Sequence, residues 1–531
     1  MTRAPRLGAL GRVEVGPVDQ TLLGLALVLG LSSLLAFAAG LARDEHGIPT
    51  IESWALADRS YGAVAVWLLL GGTIYTAYTF AAVPGLVYGA GAIGFFALAY
   101  TIVVYPLAFW LLPRLWTVSA EHGFVTVADY ARARWGSHRL ALGIALTGLL
   151  ATMPYVALQL MGIRAVLEVG GIYPDGLAGD VVLALVFGVL AVATYRSGLR
   201  APALIAVVKF ALILAVALGV GLAALDRLGG PGGVFDLDAA GAPPAFSADL
   251  DPSLHAAYAT LALGSAMALL VYPHVLTAAF SARSAAALRR CVIALPLWTA
   301  ILAVFGLLGM AARSAGVRAP LGNAESAVPM LIAELLPALL TGLVFGALAV
   351  GALVPAAVMS VAAGTLFTRN VYSEYLHPEA TSATQTRVAR ITSLVVKVGA
   401  LGFVFGLGGQ DAINLQLLGG VWILQTFPAV ALGLCTRWLH SSAVLTGWAA
   451  GMLAGTWLVA DGDFSALVVV GVGGYSTQVY AAVVALAVNL AVAVTLTPLL
   501  DRLGMPRGLD TTAVGEPRLA LADDQHPWKA T

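Results

Sequence analysis

The stretch GGTIYTAYTFAAVPGLVYGAG, Gly71–Gly91, is apolar enough to lie in a bilayer-crossing helix, yet it interrupts itself. Two hydroxyl residues, Thr76 and Thr79, stand at mid-depth, and Pro84 and Gly85 follow them. A second stretch repeats the arrangement. LGSAMALLVYPHVLTAAF, Leu263–Phe280, carries Tyr272, Pro273 and His274 in the middle of an apolar run. An interrupted helix leaves N–H and C=O groups that hydrocarbon cannot satisfy, so the breaks have to face a cavity, an ion or a solute. They fall in the second and seventh apolar runs of the chain. Broken helices at corresponding positions of two five-helix halves are the pattern of an inverted repeat with its solute site near the membrane midplane. The competing reading, a proline kink packed by neighbouring helices, fits either break alone better than it fits both together.

The rest of the chain agrees with a membrane protein. Of its 531 residues 60% are hydrophobic and only 11% charged, against about 25% charged in soluble domains. About thirteen runs approach the ~20 apolar residues of a crossing between residues 20 and 500, leaving an N-terminal arm, 1–19, and a tail, 501–531. The expected fold is all-α and integral to the lipid bilayer. Its repeat core covers about 62–435, with the breaks near 72–85 and 270–275. The first run, Leu22–Ala42, exceeds a signal-peptide core in length and sits behind a long arm, so it is read as a transmembrane helix. With 28 basic against 28 acidic residues and no basic stripe, no nucleic-acid partner is expected. Cys291 and Cys435 lie at or in apolar segments and read as small buried hydrophobes.

Arginine sets the expected orientation. With the N-terminus outside, the inner loops collect Arg43, Arg59, Arg114, Arg132, Arg134, Arg283, Arg369, Arg387 and Arg437 among others, while the outer loops carry Asp236, Asp238, Asp249 and Asp251. The positive-inside rule then places the C-terminus in the cytoplasm and the protein in the cell membrane. Polar residues at mid-membrane are the candidate site: Thr76, Tyr78 and Thr79 at the first break, Tyr272 and His274 at the second, and Gln159 and Gln425 in the fourth and eleventh runs. Half-helix N-termini offer donors to an anion. Each glutamine, and His274, can equally be a hydrogen-bonded link between helices. Arg164 and Arg196 sit near the ends of their runs, where snorkelling is the default, and Lys397, about a turn and a half from the inner boundary, can snorkel or stay buried. VPMLIAELLPALL, carrying Glu334, reads as an interfacial or re-entrant outer helix.

Several motifs resemble the sodium/solute symporter family: TIESWALADRSYG before the second run, GFVTVADYARARWG before the fourth, and LFTRNVYSEYL at the end of the ninth. Within that family MPYVALQLMGI, SGLRAPALIAVVK, LVYPHVLTAAFSARS, LVPAAVMS and INLQLLGGVWILQTFPAVALGLCTRW are most similar to the monocarboxylate permease branch. The resemblance implies a thirteen-helix carrier with a leucine-transporter-type 5+5 core, moving lactate, pyruvate, acetate, propionate or a similar small monocarboxylate with Na+ or H+ and no cofactor. It also implies a sodium site of backbone carbonyls at the first break, falling on Gly72 and Tyr75, and of carbonyl and hydroxyl oxygens in the ninth run. There the pattern A-x-x-S-[ST] meets Ala357, Ser360 and Val361, one hydroxyl short, with Thr365 a substitute. A plainer reading of Ser360 is a hydroxyl bonded back to its own helix.

Lys209 lies inside PALIAVVKFALILAVALGVG, one of only three lysines in the chain. Where the family continues GLRA with a threonine-aspartate pair, this sequence has Ile205 and Ala206, and Lys209 falls on the same helical face as Ala206. Lysine, unlike arginine, can lose its proton when dehydrated. The ammonium then replaces the cation as a proton switch, or supplies positive potential for a carboxylate, or is a structural lysine bonded to helix-end carbonyls. No channel filter and no catalytic set such as H-E-x-x-H or G-x-S-x-G is present, so a carrier is expected rather than a channel or an enzyme. The alternative within carriers is a sodium-coupled symporter of another small solute, a neutral amino acid or a sugar. The sequence does not address oligomeric state.

Overall fold

The computed structural model describes residues 18–41, 49–174, 176–236, 249–406, 412–472 and 475–512. The arm through Pro17, the tail beyond Thr512 and Asp238 lie outside the described residues. The helices that matter here are α1 (Val18–Leu41), α2 (Ala63–Ile74), α3 (Tyr78–Ala90), α4 (Phe96–His122), α5 (Val127–Trp135), α6 (His138–Val169), α7 (Leu177–Ser197) and α8 (Arg200–Arg227). They continue as α9 (Pro252–Leu269), α10 (Pro273–Phe280), α11 (Ala285–Ser314), α12 (Ala327–Leu335), α13 (Ala338–Phe367), α14 (Ser382–Gly406), α15 (Ala412–Cys435), α16 (Ser441–Asp461) and α17 (Ala481–Arg502).

Both expected breaks are present. The chain bends by 51° between α2 and α3 and by 46° between α9 and α10. Pro273 opens α10, where its missing N–H costs nothing, and its ring discourages a helical conformation at Tyr272, which is extended (φ −63°, ψ 134°). At the first break it is Tyr75 that leaves the helix (φ −91°, ψ 98°), while Pro84 sits harmlessly downstream in α3.

Ten described helices are long and apolar enough to cross a membrane, and the two bent pairs raise that to twelve. The expected thirteen is not reached on this criterion. In α7 the described apolar stretch, Leu177–Gly188, is shorter than the ~20 residues of a crossing. An antiparallel hairpin, β1 (Leu467–Val472) and β2 (Tyr475–Tyr480), also departs from an all-helical reading. The β-branched run VVV favours the strand. The hairpin's end is tied inward: the Tyr480 hydroxyl donates to the Leu417 carbonyl at 2.6 Å and its N–H to Thr260 Oγ1 at 3.0 Å.

At the centre lies α13, buried along most of its length between α1, α6 and α14. The approach of α1 is close enough to need glycine: a Cβ at Gly342 would stand 2.1 Å from the Thr21 carbonyl oxygen. At one end of the molecule the two motifs GFVTVADYARARWG and LFTRNVYSEYL meet. Thr126 and Asp129 form a capping box on α5, the Thr126 hydroxyl donates to Asn370 Oδ1 at 2.8 Å, and Asn370 Nδ2 donates to Asp129 Oδ1 at 2.7 Å. Arg132 and His138 both bond Glu374. Residues 240 apart in sequence are thus one polar clamp. The start of the tail packs there too, with Asp510 3.3 Å from Arg134 and the Thr511 N–H on the Ala133 carbonyl.

Candidate functional site

A continuous helix would pair the Gly72 and Tyr75 carbonyls with N–H groups four residues on. The turn at Tyr75 prevents this, and the Thr79 N–H goes instead to the Thr76 carbonyl at 2.8 Å. A third carbonyl is released in α13. Pro355 has no N–H, so the Gly351 oxygen lacks its helical donor. All three oxygens converge on one atom: Lys209 Nζ donates to Gly72 O at 2.6 Å, to Tyr75 O at 2.7 Å and to Gly351 O at 2.7 Å. Three ammonium donors meet three acceptors. The side chain is 1% exposed, and α8 aims it as its face predicts, since Ala206 Cβ and Lys209 Cδ both flank Gly72.

Lys209 meets α13 at Gly351, not at the expected Ala357 and Ser360. Ala357 lies six residues beyond Gly351, about 9 Å along the axis. The Ser360 hydroxyl donates back to the Ala357 carbonyl at 2.8 Å, and Thr365 donates back to Val361. Neither reaches the ammonium. Counting A-x-x-S-[ST] from Gly351 instead places Val354 and Pro355 at the two hydroxyl positions.

The first break is also filled from α6. Gln159 Oε1 accepts the Ala77 N–H at 2.9 Å, while Gln159 Nε2 donates to the Tyr155 carbonyl at 3.1 Å and to Thr76 Oγ1 at 3.3 Å. Thr76 Oγ1 in turn accepts the Tyr78 N–H at 3.1 Å. The half-helix donors expected for an anion are therefore taken at Ala77 and Tyr78. Among the described residues Thr79 Oγ1 remains buried without a partner, and the Tyr78 hydroxyl faces Tyr100 without a hydrogen bond of normal length.

At the second break Tyr272, His274 and Tyr155 form a triangle, with ring centroids 5.1–5.2 Å apart. The Tyr272 hydroxyl makes one long bond, 3.4 Å, to the Gln416 carbonyl. Both ring nitrogens of His274 are buried without a partner among the described residues. Tyr155 and Gln159 lie one turn apart on α6: Gln159 fills the first break, and Tyr155 packs against the second while its hydroxyl faces Thr76 of the first. Sequence reading missed Tyr155, although its i, i+4 spacing to Gln159 was the available signal. A narrow cleft lined by Val125, Thr126, Thr277 and Leu366 reaches Pro273 from the end of the molecule that carries the polar clamp.

Other expectations are redirected. Gln425 does not join the breaks: it bonds the Val421 and Ala482 carbonyls and receives Asn489 Nδ2, so it links α15 to α17. Lys397 does not snorkel; it is 2% exposed, and its Nζ has no hydrogen-bond partner among the described residues. Arg164 is held by Glu168 at 2.6 Å, and the side chain of Arg196 lies outside the described residues. Cys435 is exposed rather than buried. Just before α12, Glu325 accepts the Ala412 N–H at 2.7 Å and Asn323 donates to Glu168 at 2.8 Å, pinning that short segment across α15 and α6.

Comparison with known proteins places this geometry. The family model for the sodium:solute symporter family matches residues 54–419. A monocarboxylate transport permease protein of Rhizobium johnstonii is 45% identical over 476 residues, covering 88% of this chain and 95% of the relative. The uncharacterized symporter YodF of Bacillus subtilis is 31% identical, covering 90% and 93%. Among solved structures, a Na+-coupled sialic acid symporter in a substrate-bound outward-open state superposes with a TM-score of 0.72 at 16% identity, covering 90% of this chain and 97% of that one. Mhp1, a nucleobase-cation-symport-1 family transporter in a closed conformation, gives 0.52 at 15%, covering 86% and 96%. The fold is that of the leucine-transporter-type symporters, and the relatives are transporters rather than enzymes. With two broken helices held face to face by one helix, and a family match over most of its length, this chain belongs to the sodium:solute symporter family.

Proposed function

We propose that this symporter imports small monocarboxylates such as lactate, pyruvate, acetate or propionate, coupled to Na+ or H+, across the cell membrane, and that the solute binds between the two breaks. The observation that carries the reading is the set of unpartnered donors around α6. The Tyr78 hydroxyl, Thr79 Oγ1 and the His274 ring are buried beside aromatic walls. A buried polar group without a partner costs free energy that a bound carboxylate would recover. The ring triangle offers an apolar wall to a short carbon chain. The likeness to a monocarboxylate permease over most of both chains supports the same class.

The orientation belongs to this proposal: N-terminus outside, polar clamp and tail in the cytoplasm. The contact of the tail with α5 requires an even number of crossings between them, which counts α7 as a crossing. Uptake of labelled lactate, pyruvate, acetate, proline and glucose into proteoliposomes, under imposed sodium or proton gradients, tests the reading. Saturable uptake of the carboxylates alone, abolished or strongly weakened in Tyr272→Ala and Thr76→Val, is the expected result. Preference for proline or glucose would replace the substrate class.

A further inference from the structure

We propose that Lys209 is a built-in cation: its ammonium holds the place, between the first break and α13, at which the resemblance puts a sodium ion, so this chain neither binds nor needs sodium. The proposal rests on the symporter reading above only for its transport assay.

The three oxygens that meet Nζ are the ones a small cation would use. Two are released by the turn at Tyr75 and the third by Pro355, and each lies 2.6–2.7 Å from the nitrogen. A sodium ion brought to the same oxygens would stand against the ammonium, and two like charges in contact away from water repel strongly. The residues that would favour a metal are missing from the cage. Val354 and Pro355 occupy the hydroxyl positions, and Ala206 stands where the family pattern has an aspartate, with its Cβ against Gly72. A hard cation wants oxygen ligands and prefers charged ones. Here the oxygens are backbone carbonyls, and the positive charge is already attached to α8.

The charge balance suits an anionic solute. A sodium ion and a monocarboxylate enter as a neutral pair. With the ammonium fixed in the first break, the protein itself supplies the positive charge and the anion completes the pair. Of the two coupling ions named above, the proton is then the one left to drive accumulation.

Lactate accumulation by wild type is measured in proteoliposomes with sodium chloride replaced throughout by choline chloride, and binding of radioactive sodium ion is measured on the purified protein without substrate. The proposal expects equal accumulation in both salts and no saturable sodium binding. A fall of about tenfold or more without sodium, or saturable sodium binding by wild type, overturns it. If no monocarboxylate is accumulated in either salt, the substrate reading fails while the binding measurement still decides this proposal. Lys209→Met is expected to lose accumulation by about tenfold or more, the factor that goes with one charged hydrogen bond. Retention of wild-type accumulation in sodium-free medium overturns the proposal. Because Lys209→Met can fail to fold, Pro355→Ala serves beside it: it returns the Gly351 oxygen to its helix and leaves the ammonium two acceptors. Several-fold lower accumulation is expected, and unchanged accumulation overturns the account.

Discussion

The two broken helices occupy corresponding places in the fold, yet their polar groups are treated in opposite ways. At the first break the chain meets its own loose ends. Lys209 takes the Gly72 and Tyr75 carbonyls, Gln159 takes the Ala77 N–H, and Thr76 takes the Tyr78 N–H. At the second, no side chain from another helix bonds the described backbone of Leu269–Pro273. Among the described residues the His274 ring has no partner, and Tyr272 keeps one bond at 3.4 Å. The difference teaches that repeat symmetry of the backbone does not carry over to chemistry. At the first break the loose backbone groups are closed by internal side chains and only the hydroxyls of Tyr78 and Thr79 are left over, while the second holds the His274 ring unmet in an aromatic enclosure; a visiting solute gains from both sets of side chains but finds the first backbone already occupied.

The widest gap between the breaks should open on removing Gln159. Gln159→Leu leaves the Ala77 N–H unpaired in a dry site, a cost of about 1–3 kcal/mol, and is expected to lower the melting temperature in detergent and to abolish uptake. Gln159→Glu keeps an acceptor for Ala77 and should recover part of the stability. An unchanged melting curve in Gln159→Leu would show that the first break is not held from α6.

An intermediate effect of the opposite kind is expected at His274. His274→Leu removes two unpartnered nitrogens, so stability should hold or rise, while KM for the carboxylate should increase by about tenfold if the ring donates to it. Loss of stability with unchanged KM would make His274 a packing residue and erase the contrast. The smallest effect is expected at Ser360, whose hydroxyl serves only its own helix. Ser360→Ala should move stability by no more than about 0.5 kcal/mol and leave uptake unaltered in either salt. A large loss would return the cation site to the register read from the sequence.

The fold was legible because its signals are compositional. Apolar runs of crossing length and proline or hydroxyl residues inside two of them led directly to the bent pairs α2–α3 and α9–α10. Lys209 was legible because a lysine in an apolar run is conspicuous, whereas Gly72 and Tyr75 came from the family resemblance, which puts backbone carbonyl ligands at the first break. Gly351 was not legible, since every residue has a carbonyl and a backbone ligand carries no side-chain signature. The only trace was Pro355, four residues later, which removes the competing donor. The roles of Gln425 and Lys397 stayed open because the direction a helical residue faces depends on which helix lies opposite. Neither the α15–α17 contact that receives Gln425 nor the burial of Lys397 is written in the periodicity of its own span.

The apolarity of α8 acquires a purpose during synthesis. A lysine near the centre of a crossing segment costs about 2.5–3.5 kcal/mol when the segment is released sideways into lipid. Of the ten described spans, the one that carries Lys209 is the most apolar. Its leucines, isoleucines, valines and alanines offset the lysine, so the segment can leave the insertion machinery unaided. The Gly72 and Tyr75 carbonyls have by then already been made, whereas Gly351 and Pro355 emerge only later. The ammonium therefore enters the bilayer with two of its three acceptors already synthesised, and the last is delivered when α13 closes the core.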